Sequence, residues 1–323
     1  MQVRFGYVAM SVNLEKSSPS GTVTVKAYSA LAAKDSGYAM NRVRRTARAN
    51  LENTLRLLKY NRMNDIRMYR FSSKLIPLAT HPLLADWDYA ADLAEPLEQI
   101  GYYVKENEMR VSFHPDHYNL LNSPRGEVLE AALIDLDHHQ RMLDAMGLSS
   151  QAKLVMHLGG AYRDKKAAIE RFEMNWNRLP QEIQNRLVLE NDDKVYHAQD
   201  VLALCERLKV PMVLDLHHHA CNPSPDSLDE YLPRVFATWA GDLPPKIHVS
   251  SPRSPEDPRS HADYVSADDL IGFLKTAASH TEQLDVMVEA KQKDLAMLRL
   301  VEELSGFPGI NPVDRGQIEV LPM

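Results

Sequence analysis

The chain has 323 residues, 44% of them hydrophobic, and a formal net charge of −7 at pH 7. This length suits two modest domains or one α/β barrel, and no apolar run reaches the roughly 18 residues of a membrane span. The acidic balance argues weakly against a nucleic-acid partner. Cys205 and Cys221 cannot build a disulfide framework, and residues 1–10 lack the layout of a signal peptide, so we expect a cytoplasmic protein.

Short apolar runs alternate with helical segments along the chain. In the first helical segment Val43, Ala47 and Leu51 recur every three or four residues, the pattern of an amphipathic helix. Apolar strands that alternate with helices predict a parallel sheet covered on its faces. The eight predicted strands favour a single (β/α)8 barrel over an open sheet; they span residues 3–9, 66–72, 109–115, 153–160, 186–192, 210–218, 245–251 and 284–291.

Two segments lie outside this repeat. Residues 11–38 form a long polar insertion after the first strand, and residues 305–323 follow the last helix without a core pattern. A surface loop and a frayed end are the simplest interpretation. We therefore predict a barrel domain over residues 1–304 and a C-terminal tail over 305–323. The insertion would lie on the top face, where long loops of barrel enzymes carry function.

Potential metal ligands follow the predicted strands at their carboxyl ends, the rim where barrel enzymes place their chemistry. Two further histidines, His81 and His261, lie in loops that leave the same rim. The strand-end residues are His114, His157, Glu190, Asp215 with the cluster His217–His219, His248 and Glu289.

Imidazole and carboxylate groups together are a natural ligand set for Zn²⁺ or Mn²⁺. Each of these residues alone is more often structural, because a buried histidine commonly just hydrogen-bonds a carboxylate. Six consecutive strands that end in such groups converge in a closed ring, however. The set exceeds the needs of one ion and predicts a multinuclear site, a kind that suits hydrolysis of phosphate esters.

Several long motifs occur in order along the chain: RFGYVAMS, RFSSKLIPLATHP, SFHPDHYNL, HLGGAY, LENDDK, DLHHHACNP, PKIHVSSPR, SHADYV and VMVEAKQK. Together they resemble the ultraviolet damage endonucleases, which begin an alternative excision repair in bacteria and fungi. The resemblance runs from about residue 3 to residue 300. It implies a (β/α)8 barrel of the endonuclease IV and xylose isomerase kind.

The resemblance also implies a cluster of three divalent ions, with Mn²⁺ expected and Zn²⁺, Co²⁺ or Mg²⁺ as alternatives. Catalytic roles fall to Glu190, Lys246, His261 and Glu289. Lys246 matches a lysine that can be carboxylated in the family, although a plain ammonium is the alternative. The implied metal ligands are His81, His114, His157, Glu190, Asp215, His218, His248, His261 and Glu289.

Choosing His218 over His217 rests on the resemblance and not on periodicity. On a straight strand Asp215 and His217 would share a face. The family pattern therefore requires the strand to bend or end near Leu216, which leaves His217 and His219 as supporting or surface residues.

For DNA, the resemblance assigns lesion contacts to Tyr7, His117 and Tyr118. At the position of His117 relatives often carry glutamine. The implied reaction is hydrolysis of the phosphodiester immediately 5′ to a cyclobutane dimer or a 6-4 photoproduct, leaving a 3′-hydroxyl and a 5′-phosphate. The expected partner is ultraviolet-damaged duplex DNA, with no nucleotide cofactor, membrane or obligate protein partner, and a monomer acting at the bacterial nucleoid.

The net charge does not settle the question of DNA binding. Ligand carboxylates contribute to the total, and bound divalent ions would offset them. Basic residues that could face DNA include Arg42, Arg44, Arg45 and Arg48 on the first helix, Lys74 and Arg253. Three alternatives stay open: an abasic-site nuclease of the endonuclease IV type, a metal-dependent sugar isomerase or epimerase, and a non-catalytic metal-binding barrel.

Overall fold

A computed structural model describes residues 1–116, 118–239, 241 and 243–321. Eight parallel strands close into a barrel, because β10 pairs with both β7 and β1. The predicted (β/α)8 fold is therefore confirmed. The described strands are β1 (Gln2–Val8), β2 (Met68–Arg70), β3 (Arg110–Phe113), β4 (Lys153–His157), β5 (Leu187–Glu190), β6 (Met212–Asp215), β7 (Lys246–Val249), β8 (Pro252–Ser254), β9 (Asp257–His261), β10 (Gln283–Val288), β11 (Ile310–Asp314) and β12 (Gln317–Val320).

Helices cover the outside of the barrel, and apolar strands buried on both sides explain why they pack there. Among the described residues, no helix is both long and apolar enough to cross a membrane. The helices are α1 (Val25–Ala32), α2 (Ser36–Met63), α3 (Tyr89–Asp92), α4 (Ala94–Glu106), α5 (Gly126–Ala145), α6 (Lys165–Trp176), α7 (Gln181–Arg186), α8 (Ala198–Leu208), α9 (Leu216–Cys221), α10 (Leu228–Ala237), α11 (Ala267–Ala277) and α12 (Lys293–Leu304), with a 3-10 turn at Pro82–Leu84.

The insertion after β1 is more ordered than a surface loop. It contains α1, and α2 already begins at Ser36, where Asp35 caps the helix by accepting a hydrogen bond from the Tyr38 amide. Its first residues are tied to α12, because the buried Asp294 accepts hydrogen bonds from the Ser11 hydroxyl at 2.6 Å and from the Val12 amide at 2.7 Å. The insertion thus has a fixed position beside the carboxyl end of β1.

A two-stranded antiparallel hairpin, β8–β9, rises from the rim after β7. Its strands are largely exposed, and its second strand ends at His261. The hairpin rejoins the barrel where the Ala262 amide donates to the Ser251 carbonyl at 2.8 Å. It therefore carries one of the predicted ligands on an arm outside the barrel wall.

The expectation of a frayed C-terminal end is wrong for residues 310–320. These residues form the antiparallel hairpin β11–β12, and β12 pairs with β1 from Gln2 to Arg4. Ile318 and Val320 are buried in the core. The hairpin turn fits closely against the barrel, since a Cβ atom on Gly316 would lie 2.5 Å from the Asp65 carbonyl oxygen. β2 pairs with β1 only from Gly6 to Val8, so β12 completes this wall at its amino end.

The arginines of α2 do not form a free basic face. Arg44 pairs with Asp92 at 2.6 Å and Arg48 with Glu95 at 3.1 Å, which indicates a solvated helix surface on the outside of the barrel. In contrast, His138 and His139 on α5 are buried. The hydroxyl of Tyr89 lies 2.8 Å from Nδ1 of His138, which gives that ring a structural role.

Candidate metal centre

Strand register brings the predicted ligands together. In parallel pairing, His157 at the end of β4 lies beside Glu190 at the end of β5, and Asp215 on β6 lies beside His248 on β7. Neighbouring strands therefore end at the same level, and their last side chains converge at the carboxyl-terminal face. The pattern of strand-end residues in the sequence has this physical basis.

Seven of the nine predicted ligands form three groups, each of which can hold a metal ion. Within every group the ligand atoms lie within 4.8 Å of one another, and all three groups include Glu190. Glu190 is thus the common member of the centre. The groups are His114, His157 and Glu190; Glu190, His248 and Glu289; and Glu190, Asp215 and His218.

The two oxygens of Glu190 face different histidines. Oε1 lies 2.8 Å from Nδ1 of His248, and Oε2 lies 3.0 Å from Nε2 of His114. Burial opposes ionisation of this carboxyl group, but the charges of His248 and His157 hold the pKa of Glu190 well below its ordinary value. A carboxylate with both oxygens engaged in opposite directions can bridge two or more cations.

The turn from β6 into α9 explains the histidine cluster. The strand ends at Asp215, and the Asp215 carboxylate caps α9 by accepting a hydrogen bond from the His218 amide at 2.7 Å. The bend near Leu216 that the family resemblance requires is therefore present. His218 returns to the centre from the first turn of the helix, while His217 and His219 point to other neighbours.

Protonation in the metal-free centre follows the packed charges. Burial disfavours the charged form of His218, yet the negative charges of Asp215 and Glu190 raise its pKa to about 9. Burial likewise raises the pKa of Asp215 to about 6. For His157, burial lowers the pKa to about 4, so this imidazole is neutral at pH 7 and offers a lone pair.

Backbone carbonyls orient two of the imidazole rings. The Nδ1–H of His218 donates to the carbonyl of Asn191 at 2.9 Å, and Nδ1–H of His114 donates to the carbonyl of Pro115 at 3.0 Å. In the neutral form each ring then presents Nε2 as its lone pair. Such orienting bonds are typical of metal-binding histidines.

Two supporting residues escaped the sequence analysis. The Asn191 side chain exchanges hydrogen bonds with the Asp215 backbone, at 3.0 Å and 2.9 Å, and so links the ends of β5 and β6. At the end of β2, the Arg70 guanidinium pairs with the Glu289 carboxylate. Their positions at strand ends are a signal in the sequence, but an amide and a guanidinium are not the ligand types by which a metal centre is recognised.

The residues of the centre fit a divalent cation. One potential ligand atom, Oδ2 of Asp215, is buried and has no hydrogen-bond partner among the described residues. Leaving such an atom unpaired costs about 1–3 kcal/mol. Neutral imidazole nitrogens beside carboxylate oxygens are the donors that Zn²⁺ and Mn²⁺ accept, so a bound ion would satisfy this oxygen.

Three predicted site residues lie at the edge of the centre or beneath it. Within the described ranges, no group that can hold an ion includes His81 or His261. His81 begins the turn at Pro82–Leu84, and its Nδ1 accepts a hydrogen bond from the Leu83 amide at 3.2 Å. Lys246 is buried on β7, with its Nζ 3.4 Å from the Ser112 hydroxyl.

The predicted lesion contacts divide into three cases. Tyr7 is fully buried in this structure, and its hydroxyl donates to Oδ1 of Asn61 at 2.6 Å. Tyr118 is 70% exposed on the loop after β3, as a lesion contact requires. His117 lies outside the described residues.

Fold and site together define a (β/α)8-barrel enzyme with a buried histidine–carboxylate centre at its carboxyl-terminal face. The model of one protein family, described as UV-endonuclease UvdE, matches residues 3–320. The chain belongs to this family. The match also covers the C-terminal hairpin, which the sequence resemblance had left out.

Individual relatives agree with this assignment. The UV DNA damage endonuclease of Bacillus pumilus (strain SAFR-032) is 43% identical over 324 residues, covering 100% of both chains. The crystal structure of SacUVDE is 31% identical, covers 94% of this chain and 100% of its own, and superposes with a TM-score of 0.82. Endonuclease IV from Thermus thermophilus covers 93% of this chain and 99% of its own at a TM-score of 0.53, but with 12% identity it shows the fold alone.

Proposed function

We propose that this enzyme is a metal-dependent UV DNA damage endonuclease. It hydrolyses the phosphodiester immediately 5′ to cyclobutane pyrimidine dimers and 6-4 photoproducts, leaving a 3′-hydroxyl and a 5′-phosphate. The observation that carries the proposal is the sharing of Glu190 by three potential ion-binding groups, in a chain that belongs to the UV-endonuclease family.

Three divalent ions, most suitably Mn²⁺, would be held by the seven clustered residues together with His81 and His261. When bound, such ions activate water for in-line attack on a phosphate and neutralise the charge that develops on its oxygens. His261 stands beside the centre, since its ring centroid lies 5.3 Å from that of His217, the residue before His218 on α9. His81 would have to reach the centre from its turn on the β2 loop.

The protein groups hold the ligand atoms in place. Nδ1 of His248 lies 2.8 Å from Glu190 and 3.1 Å from Glu289, so a single imidazole connects the two acidic catalytic candidates. The Arg70 ion pair restrains Glu289 from the other side. We propose catalytic roles for Glu190, Glu289 and His261 because the family resemblance assigns them these roles and His248 links the two carboxylates.

Lys246 is the fourth catalytic candidate. Its side chain is buried, and burial together with the positive charge of Arg110 holds the pKa of Lys246 well below its ordinary value. A neutral amine is the form that reacts with CO₂ to give a carbamate and a proton. We propose that Lys246 can be carboxylated, since Nε and Nη2 of the buried Arg110 lack a hydrogen-bond partner among the described residues and the guanidinium charge would stabilise the carbamate.

Recognition of damage rests on deformability more than on base-edge contacts. Extruding a base takes a few kcal/mol, and least where a lesion has already weakened stacking and pairing. Tyr118 and His117 would insert at the lesion from the loop after β3. The exposed Lys74, on the loop after β2, and Arg253, which pairs with Asp257 across the hairpin at 3.2 Å, would make phosphate contacts from the same face.

The expected setting follows from the substrate. Damaged duplex DNA needs an open rim, so we propose a monomer without an obligate protein partner or nucleotide cofactor. Chromosomal DNA as the substrate implies action in the bacterial cytoplasm.

The proposal is tested with end-labelled duplexes that carry one thymine dimer, one abasic site or no damage. Protein is loaded with Mn²⁺ and compared with His218→Ala and with His280→Ala, an exposed histidine far from the centre. We expect a Mn²⁺-dependent nick immediately 5′ of the dimer in the wild type and in His280→Ala, and none in His218→Ala. Nicking confined to the abasic duplex would instead show an activity of the endonuclease IV type, and isomerisation of sugars without any nick would favour the epimerase alternative.

A further inference from the structure

His217 has no part in the proposed ligand set, yet it is buried beside the centre. Only 3% of its surface is exposed, although α9 itself lies on the rim. Burying an imidazole is costly unless its polar atoms are bonded. The partner of its Nε2–H is the carbonyl oxygen of Arg259 on β9, at 3.2 Å.

The same ring packs against His261. The two imidazole centroids are 5.3 Å apart and the rings are nearly perpendicular, at 87°. The side chain of His261 makes no hydrogen bond with any described residue, so the contact with His217 is what restrains its ring. His217 thus touches both the backbone of β9 and the last side chain of that strand.

Two other contacts hold the hairpin from this side, one from α9 and one from the loop after β5. Sγ of Cys221 lies 3.4 Å from the carbonyl oxygen of Pro258, and Arg259 pairs with Asp193 at 3.3 Å. The base of the hairpin is also held after β10, where the Lys291 amide donates to the Ala262 carbonyl at 3.0 Å. Beyond this base β8 and β9 are largely exposed, and these contacts support β9. Helix α9 carries His218 into the centre, and through His217 it also sets the position of His261.

We infer that His217 is a positioning residue, which acts through His261 by holding the β8–β9 hairpin against α9. The inference rests on the proposed function, in which His261 is a metal ligand. Loss of His217 would leave His261 present but free to swing with the hairpin. Removal of partners that orient ligands typically weakens metal binding about 10–100-fold.

The test combines four variants in a double-mutant cycle: His217→Ala, His217→Gln, His261→Ala and the double alanine variant. The readouts are Mn²⁺ binding, followed by the electron paramagnetic resonance signal of free Mn²⁺, and kcat and KM for incision of a dimer-containing duplex. His219→Ala is the matched control, because it alters the same helix at a ring that faces Tyr231 instead of the hairpin.

We expect His217→Ala to weaken binding of one Mn²⁺ ion by about tenfold and to lower kcat with KM for DNA unchanged. His217→Gln retains a donor for the Arg259 carbonyl and stays within about threefold of the wild type, a loss below one hydrogen bond. In the His261→Ala background, His217→Ala has no further effect, because its action passes through His261.

Two results would overturn this inference and leave the proposed function intact. In the first, His217→Ala keeps the Mn²⁺ affinity of the wild type while His261→Ala loses it. In the second, the losses of Mn²⁺ affinity in the two single variants add fully in the double variant. Additivity would mean that His217 supports α9 and His218 independently of His261. If His261→Ala itself keeps wild-type Mn²⁺ binding and incision, the assignment of His261 in the proposed function fails, and this inference with it.

Discussion

Replacing Glu190 with glutamine removes a negative charge from the centre and leaves the side-chain shape nearly unchanged. Because all three potential ion-binding groups include this residue, the variant should lose ions from each of them. Replacing Glu289, which belongs to one group, should affect that group alone. Removing a residue that orients a metal ligand lowers activity or metal affinity by about 10–100-fold, and we expect Glu190→Gln to lower incision by more than this. We expect Glu289→Gln to retain part of the bound Mn²⁺.

The structure also predicts how Glu190→Gln changes the stability of the metal-free protein. Burial disfavours a charge on His248, but Glu190 and Glu289 raise its pKa from the ordinary value of 6.5 to about 9. A difference of this size corresponds to about 3 kcal/mol of stabilisation of the protonated form. Glu190→Gln should remove much of it at pH 6, where His248 is charged, and little at pH 9.5, where the imidazole is neutral.

The assay measures Mn²⁺ per chain by equilibrium dialysis and unfolding by urea in the presence of chelator at both pH values. Glu95→Gln on the outer surface is the matched control, since it removes a carboxylate that pairs with Arg48 far from the centre. Wild-type Mn²⁺ content in Glu190→Gln would refute the reasoning that this residue is shared. An equal loss of stability at both pH values would refute the charge argument.

Further predictions concern pH, packing and DNA. In chelator, the unfolding free energy of the wild type should fall as pH rises above 6.5, because the raised pKa values of His218 and His248 add stability that is complete below 6.5 and lost by about 9. The lowered pKa of Lys246 opposes this fall with one group against two, and urea titrations that show a rise from pH 6.5 to 8 would contradict the prediction. Ile318→Ala should lower the unfolding free energy by about 2–4 kcal/mol, with Mn²⁺ affinity of the folded protein unchanged, since the residue packs in the core through the C-terminal hairpin. Tyr7→Phe should cost about 1 kcal/mol of stability and leave dimer incision intact, as measured by melting and by nicking. Tyr118→Ala should weaken binding to dimer-containing duplex by about 1–3 kcal/mol in a fluorescence titration, and unchanged affinity would remove it from the lesion contacts.

The barrel strands and their terminal ligands were predictable because both depend on short-range pattern. Each strand is a local apolar run, and parallel pairing places all strand ends on one face, so His157 and Glu190 could be expected together before any coordinates. The choice between His217 and His218 could not be made this way. It depends on where the strand ends. The Asp215 cap is a local contact with the His218 amide, but the apolar pattern alone does not show whether Asp215 ends the strand or continues it, and the family resemblance supplied the choice of His218.

Other features depended on partners far along the chain. The β11 segment, INPVD, has a proline and little alternation, so its strand character comes from pairing with β12 and not from its own residues. Tyr7 has the appearance of a rim aromatic in the sequence, but its neighbour Asn61 on α2 captures the hydroxyl. Arg70 acquires its role only because β2 and β10 bring it next to Glu289.

The pairing of β12 with β1 has a consequence for how the enzyme is made. The Met1 ammonium donates to the Val320 carbonyl at 2.6 Å, and the Val320 amide donates back to Met1 at 2.8 Å. β1 is therefore synthesised first, and the residues of β12 that pair with its edge are synthesised about 300 positions later. Contacts of such long range make folding slow and expose unpaired strand edges meanwhile. A nascent chain stalled before Gln317 would hold every proposed metal ligand and all eight parallel strands, and would still leave one edge of β1 unpaired from Gln2 to Arg4.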